Sequence, residues 1–376
     1  DLEKLDLSVR KFIDLDDLRA TDSGRIVGPK AAKLGELHHH YPDKVAKGVA
    51  IPFGVFREVV LEKPYKGGSQ TVFDWMVEQY ANIHAQAEGS EKRKQTAEAF
   101  RAELYDIILH AELGDKFKQE LKAAITKTFG TTDLGVFVRS DTNVEDLAGF
   151  TGAGLNLTLP NVTGFDGVVG AINKVWASPF TARAFAWRQS HMEQPQHVYP
   201  AILLLRSVPN DKSGVMVTQD IDTGDMQTIS VAVNEGVGGA VDGQSAESLR
   251  IDTRDGSVRL LATATAPWRR QPAPQGGIVK LPASGSDTVL QPEEIQQLVA
   301  FAKGLPDTFP PITDDKGNRA PADVEFGFLD GELHLFQLRP FLQSDKAQAN
   351  EYLMNMDKAL QGNLERKVDM TGVPEA

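Results

Sequence analysis

Asp323-Val324-Glu325-Phe326-Gly327-Phe328-Leu329-Asp330-Gly331-Glu332-Leu333-His334-Leu335-Phe336-Gln337-Leu338-Arg339 consists of two runs of alternating character joined through Asp330-Gly331, the pattern of a β-hairpin. Its register decides which residues share a face. A two-residue turn at Asp330-Gly331 puts Gln337 and Arg339 on the side of Phe326 and Phe328, which wastes the apolar pattern. A three-residue connection with Gly as the bulge residue shifts the pairing by one. Glu325 then stands opposite Gln337 and Asp323 opposite Arg339, while Val324, Phe326, Phe328, Phe336 and Leu338 form the other face. Packing alone thus gathers two carboxylates, an amide and a guanidinium on one side of a sheet. Carboxylate and amide oxygens suit Mg²⁺, which keeps waters and shares ligands with nucleotide phosphates. Without a ligand, the same face is a polar surface in water.

The region around this hairpin has β character. Ile202–Leu205, Gly214–Thr218 and Thr228–Val233 are expected strands, and Arg250–Ala262 a hairpin turning at Asp255-Gly256. Pro272–Gly277 is expected as a surface loop, and Pro292 opens a helix carrying Ile295, Leu298 and Val299. The N-terminal half alternates helix and strand. Ala31, Leu34 and Leu37 recur behind Gly28-Pro29-Lys30, a helix start. Phe73, Met76, Val77, Tyr80 and Ile83 mark a further helix, Phe100, Leu104, Ile107 and Ile108 another, and Phe117, Leu121 and Ile125 a third. Val136-Phe137-Val138 is a short strand. Leu155, Leu157 and Leu159 alternate with polar residues, and two helical stretches follow to about Ser190. The fold class is α+β, with a helical/β lobe over 1–205, a β-rich lobe over 206–345 and a terminal helical tail over 346–376. A cleft between two such lobes suits a ligand.

Composition narrows the function. The chain has 376 residues, 41% hydrophobic and 24% charged, an ordinary globular balance. A net charge of −12 argues against a nucleic-acid footprint or an anionic membrane surface. The absence of Cys excludes disulfides and thiolate chemistry. No apolar run approaches the roughly 20 residues that span a bilayer, so the expectation is a cytoplasmic protein with no nucleic-acid or membrane partner. Asp1 in first place suggests further sequence upstream.

Two more constellations carry chemistry. At Gly28-Pro29-Lys30 a helix N-terminus offers unpaired N–H groups and Lys30 a mobile cation, together a phosphate seat; the alternative is a well-started helix with a solvated lysine. In Val138-Arg139-Ser140-Asp141-Thr142-Asn143-Val144-Glu145-Asp146-Leu147-Ala148-Gly149-Phe150-Thr151-Gly152-Ala153-Gly154 an arginine leaves an apolar strand for a loop of hydroxyls, acids and glycines. Gly149 and Gly152 let backbone N–H groups approach an anion, and Arg139 can grip phosphate oxygens in pairs. Glu145 and Asp146 serve equally well to cap or hold the loop. His38-His39-His40 points its rings around a helix, a surface feature and not a metal site. Asn234-Glu235-Gly236-Val237-Gly238-Gly239 lacks the helix of a dinucleotide fold.

Together these segments resemble the nucleotide-binding domain shared by phosphoenolpyruvate synthase, pyruvate phosphate dikinase, the glucan water dikinases and rifampin phosphotransferase. The likeness covers Gly28-Pro29-Lys30-Ala31-Ala32-Lys33-Leu34-Gly35-Glu36-Leu37, Ile51-Pro52-Phe53-Gly54-Val55, Val138–Gly154, Trp176–Arg188, Ser213-Gly214-Val215-Met216 and Asp323-Val324-Glu325 through Gln337-Leu338-Arg339-Pro340. It implies an ATP-grasp fold with the nucleotide between two lobes. It implies ATP and Mg²⁺ as cofactors, and transfer of the β-phosphoryl group to a histidine on a separate carrier domain, in the same full-length chain or another. Pyruvate is then the expected final acceptor, with a glucan-type dikinase or a catalytically reduced nucleotide-binding module as alternatives. By the same resemblance Lys30 and Arg139 hold the polyphosphate, Asp323 is a further cofactor-binding residue, Glu325 and Gln337 bind Mg²⁺, and Arg139 and Arg339 act at the transferring group. Leu205-Arg206-Ser207-Val208 replaces the family's Gln-bearing strand beside adenine, which leaves backbone contacts from Arg206 and Val208. Gly239 stands where the family has an acid, and Glu235 and Glu247 are the substitutes to look for.

Overall fold

A computed structural model describes residues 2–145, 156–191, 197–238 and 244–342. Gly149, Gly152, Gly239 and the expected tail over 346–376 lie outside the described residues. The chain forms two compact units. Among the described residues, the first comprises residues 2–35 and Lys47–Arg206; the second comprises Glu36–Ala46 and residues 207–342. The sequence reading kept residues 36–46 with the first lobe. They join the second because Leu335 donates its N–H to the Lys44 carbonyl at 2.8 Å and the Tyr41 ring packs 5.2 Å from that of Phe301.

In the first unit the elements run β1 (Ile13–Asp14), α1 (Pro29–His40, continuing past the unit boundary), β2 (Gly48–Ile51), α2 (Phe53–Phe56), α3 (Val72–His84), α4 (Glu91–Leu109), α5 (Gly114–Phe129), β3 (Gly135–Thr142), β4 (Thr158–Thr163), α6 (Phe165–Ala177), α7 (Ala182–His191) and β5 (Pro200–Arg206). The strands make one antiparallel sheet, ordered β1-β2-β5-β3-β4. Helix boundaries follow local chemistry. Thr71 and Ser90 accept the backbone N–H of Asp74 and Arg93 at the starts of α3 and α4, and Gly130, with φ of 81°, ends α5. The periodic residues face inward: Ala31, Leu34 and Leu37 of α1, Leu104 and Ile108 of α4 and Leu121 of α5 are buried, each large apolar side chain contributing roughly 1.5–3 kcal/mol. Val77 is an exception, 42% exposed. The expected strand at Leu155–Leu159 begins at Thr158.

The second unit contains β6 (Lys212–Val217), β7 (Thr228–Glu235), β8 (Glu247–Asp252), β9 (Val258–Ala262), β10 (Trp268–Pro272), β11 (Ile278–Pro282), α8 (Pro292–Thr308), β12 (Ala322–Leu329) and β13 (Glu332–Pro340). Six strands form an antiparallel sheet, ordered β13-β12-β6-β7-β8-β9. The expected Pro272–Gly277 loop is the turn of an unforeseen hairpin, β10–β11. α8 begins with a reciprocal cap between Gln291 and Glu294, and Glu294 also ion-pairs with Lys212. All three sheets are antiparallel and the helices are not crossovers between parallel strands, so the fold is α+β. Among the described residues no helix is long and apolar enough to cross a membrane.

Candidate functional site

The first group of residues is built where β3 meets the start of α1. The Asp141 carboxylate accepts the backbone N–H groups of Gly28 at 2.9 Å, Lys30 at 2.8 Å and Ala31 at 3.3 Å. The helix N-terminus is therefore already capped by an acid from a distant strand. This corrects the expectation that its amides await a phosphate: they are occupied, and the Lys30 side chain is what remains. Its ammonium donates to the Ser140 carbonyl at 2.8 Å and to Glu145 Oε1 at 3.3 Å. Glu145 Oε1 also accepts the Thr142 N–H at 3.2 Å, so this carboxylate holds the loop and the lysine together.

Arg139 lies two residues before Asp141, on the same face of β3. Among the described residues its guanidinium has no ion pair or hydrogen bond, yet its charge acts on both Lys30 and Glu145. Burial is the main influence on the cluster. It lowers the Lys30 ammonium, an effect that Glu145 opposes and Arg139 reinforces. Burial, then the charge of Glu145, pushes Asp141 up to about 7, against Lys30 and the two backbone amides of Lys30 and Ala31. Glu145 is likewise raised by burial. An arginine with no ion pair among the described residues, beside a half-buried lysine, is a place where an anion gains most from charge-assisted hydrogen bonds.

The second group lies on the β12–β13 hairpin. Glu325 pairs with Gln337 and Asp323 with Arg339, the rungs expected from the sequence, but the route to them differs. Leu329 pairs with Glu332, so the turn has two residues, Asp330 and Gly331, with φ of 50° and 78°, a type I′ geometry. The extra residue sits in β13: Phe326 pairs with Leu335 and Glu325 with Gln337, leaving Phe336 as a bulge. Phe336 is thus not on the face of Val324, Phe326 and Phe328. Leu333, Leu335 and Leu338 are buried instead, and the Phe336 ring lies over Gly327, where a β-carbon would come within 2.9 Å of it. The physical reason is that a bulge at Phe336 turns all three leucines inward, which a three-residue turn does not.

Arg339 Nε donates to Asp323 Oδ2 at 2.8 Å, and Asp323 is buried. Glu325 and Gln337 put a carboxylate and an amide oxygen on one rung. That donor set fits Mg²⁺. Among the described residues no three His, Asp or Glu cluster in metal-binding geometry, so phosphate and water oxygens would complete the shell.

The remaining expected positions are less defined. Arg206 ends β5 exposed, and the chain passes from the first unit to the second between it and Ser207. The Val208 carbonyl accepts the Asn210 N–H at 2.9 Å. Neither candidate substitute for Gly239 is idle: Glu247 accepts the N–H groups of Val289 and Leu290, both at 2.9 Å, and Glu235 accepts the N–H and hydroxyl of Ser284. His40 lies 3.2 Å from Glu36. Sequence reasoning missed Asp141; the signal present was an acid two residues after Arg139, on the same face of the strand that presents it.

Residues 24–359 match the family described as pyruvate phosphate dikinase, AMP/ATP-binding domain. A rifampicin phosphotransferase from Streptomyces is 26% identical over 338 residues, covering 89% of this chain and 36% of that protein. The phosphoenolpyruvate synthase of Pyrococcus furiosus is 25% identical, covering 88% of this chain and 42% of its own length. A probable phosphoenolpyruvate synthase of Methanothermobacter thermautotrophicus is 28% identical, covering 89% and 46%. The chain spans less than half of each of these relatives.

Proposed function

We propose, on the premise that this chain belongs to the pyruvate phosphate dikinase AMP/ATP-binding domain family, that it binds ATP with Mg²⁺ and presents the β-phosphoryl group to a histidine of a carrier domain, on the same full-length protein or another. AMP and phosphate are the products, and pyruvate is the final acceptor. The ATP-grasp reading of the two antiparallel-sheet units belongs to the same proposal. The observation that carries it is the pairing of Lys30, held by Glu145, with an Arg139 that has no counter-ion among the described residues.

In this reading Lys30 and Arg139 hold the polyphosphate, and Glu325 and Gln337 hold the metal. Bound Mg²⁺ supplies neutralisation of phosphate charge. Arg339, braced by Asp323, adds positive charge at the transferring group, and Asp141 fixes the helix from which Lys30 projects. Phosphoryl transfer asks for positioning and charge compensation, and these residues provide both. Gly149, Gly152 and the backbone around Arg206 and Val208 complete the proposed contacts to phosphate and adenine.

Calorimetric titration with ATP, with and without Mg²⁺, tests the reading; silence at millimolar nucleotide in both conditions sinks it. The similarity to a rifampicin phosphotransferase favours a drug acceptor as the second reading. AMP formation by the full-length protein, dependent on pyruvate in one assay and on rifampicin in the other, separates the two.

A further inference from the structure

We infer that Glu145 is the resident anion that a nucleotide phosphate displaces from Lys30, and that the exchange takes up one proton. The inference rests on the ATP reading above and deepens it, since it makes Glu145 a positioning residue for the phosphate-binding lysine.

Four charged groups face one another here: Lys30 from α1, and Arg139, Asp141 and Glu145 from β3 and the turn after it. With both acids ionised their formal charges cancel. A polyphosphate brings further negative charge against two buried carboxylates, and the least costly relief is to neutralise one of them. The hydrogen bonds select which. Both Asp141 oxygens accept backbone N–H groups, three in all, so a proton there would cost at least one of them. Glu145 gathers its contacts on Oε1, from Lys30, Thr142 and Ser140. Its Oε2 is buried and has no hydrogen-bond partner among the described residues. A proton on Oε2 therefore breaks nothing.

The exchange balances as follows. A phosphate oxygen takes the Lys30 ammonium, the contact from Nζ to Oε1 is given up, and one proton moves from buffer to Oε2. Glu145 is left as a neutral acid whose Oε1 still accepts from Thr142 and Ser140. Burial raises the Glu145 carboxyl, which carries this uptake into a range above the usual carboxylate one. Affinity then falls by about tenfold for each pH unit above that range, the slope of a one-proton linkage.

The test is titration of wild type and Glu145→Gln with ATP and Mg²⁺ in two buffers of different ionisation heat. The difference between the proteins removes the nucleotide's own protonation. Wild type is expected to take up on the order of half to one proton more than the variant. Glu145→Gln should bind at least as tightly as wild type above neutral pH, having lost the competing anion. Equal proton counts overturn the inference. So does a variant that binds about tenfold more weakly at all pH values, since Glu145 would then be only a tie for the loop. Should the variant fail to fold, the wild-type count, corrected for the measured protonation of free nucleotide, decides alone, and zero uptake overturns the idea. Absence of any wild-type heat is a different result, the failure of the ATP reading itself.

Discussion

Asp141 accepts the backbone N–H of Gly28 at 2.9 Å across 113 residues of sequence, and the two approach so closely that a β-carbon on Gly28 would stand 2.5 Å from both the Asp141 carbonyl oxygen and Oδ1. Gly28 does not have a left-handed backbone; what it lacks is room. The strand end and the helix start are one joint, and Lys30 and Arg139 are the side chains that leave it.

Gly28→Ala should therefore destabilise the fold by about 1–3 kcal/mol, the usual cost of forcing a methyl group into a filled site. Chemical denaturation measures it. A variant as stable as wild type would mean that α1 can shift without loss, and the joint would not be the anchor described.

The same joint gives the first unit a pH dependence. Burial and the charge of Glu145 raise Asp141 from 3.8 to about 7, so between those values the folded state holds more protons than the unfolded chain. That contribution is fully present below the lower value and is lost as pH rises through the upper one. Unfolding followed from about pH 5 to 8 should show a decline on the order of 2–3 kcal/mol beyond that of Asp141→Asn. Parallel curves for the two proteins would remove Asp141 as the cause.

Arg139→Ala should weaken ATP binding roughly tenfold to a hundredfold, since a bidentate arginine–phosphate contact contributes about 1.5–3 kcal/mol. Arg139→Lys should recover part of this, because a point charge cannot reproduce the planar fork. Ligand-free melting should hardly move, as the guanidinium ties nothing among the described residues. An unfolded Ala variant would make Arg139 a structural tie.

Glu325→Ala tests the hairpin. The gain in ATP affinity on adding Mg²⁺ should shrink by about tenfold, or about 1.4 kcal/mol, while affinity without the metal changes less. If Mg²⁺ strengthens binding equally in both proteins, the metal lies elsewhere.

Much of this architecture was legible in sequence. The α1, α3, α4 and α5 helices announce themselves through apolar residues on one face, and the Glu325–Gln337 rung followed from asking which register buries the phenylalanines. β2, Gly48-Val49-Ala50-Ile51, escaped notice because a strand buried along its whole length has no alternation to display. β1 has two residues, too few for any pattern. β10 and β11 have no reading from sequence because the Pro/Gly-rich stretch Pro272–Gly277 between them has the composition of a loop and the strands are short, five residues each. Asp141 was hidden for a different reason: its partners are backbone amides at the far end of the unit's sequence, and no local periodicity encodes a remote cap.

The bulge at Phe336 sets the terms on which this hairpin can diverge. The twelve-residue interval from Glu325 to Gln337 contains one residue more than a two-residue turn requires, and here it is spent within the strand. A relative could lose that residue and lengthen its turn by one, and Glu325 would still meet Gln337. Losing Phe336 with no other change would also leave Glu325 opposite Gln337, because the regular two-residue hairpin closes without it. Selection on the Glu325–Gln337 rung therefore acts on the rung itself and not on the length of chain beyond it, so the shape of the tip is free to drift.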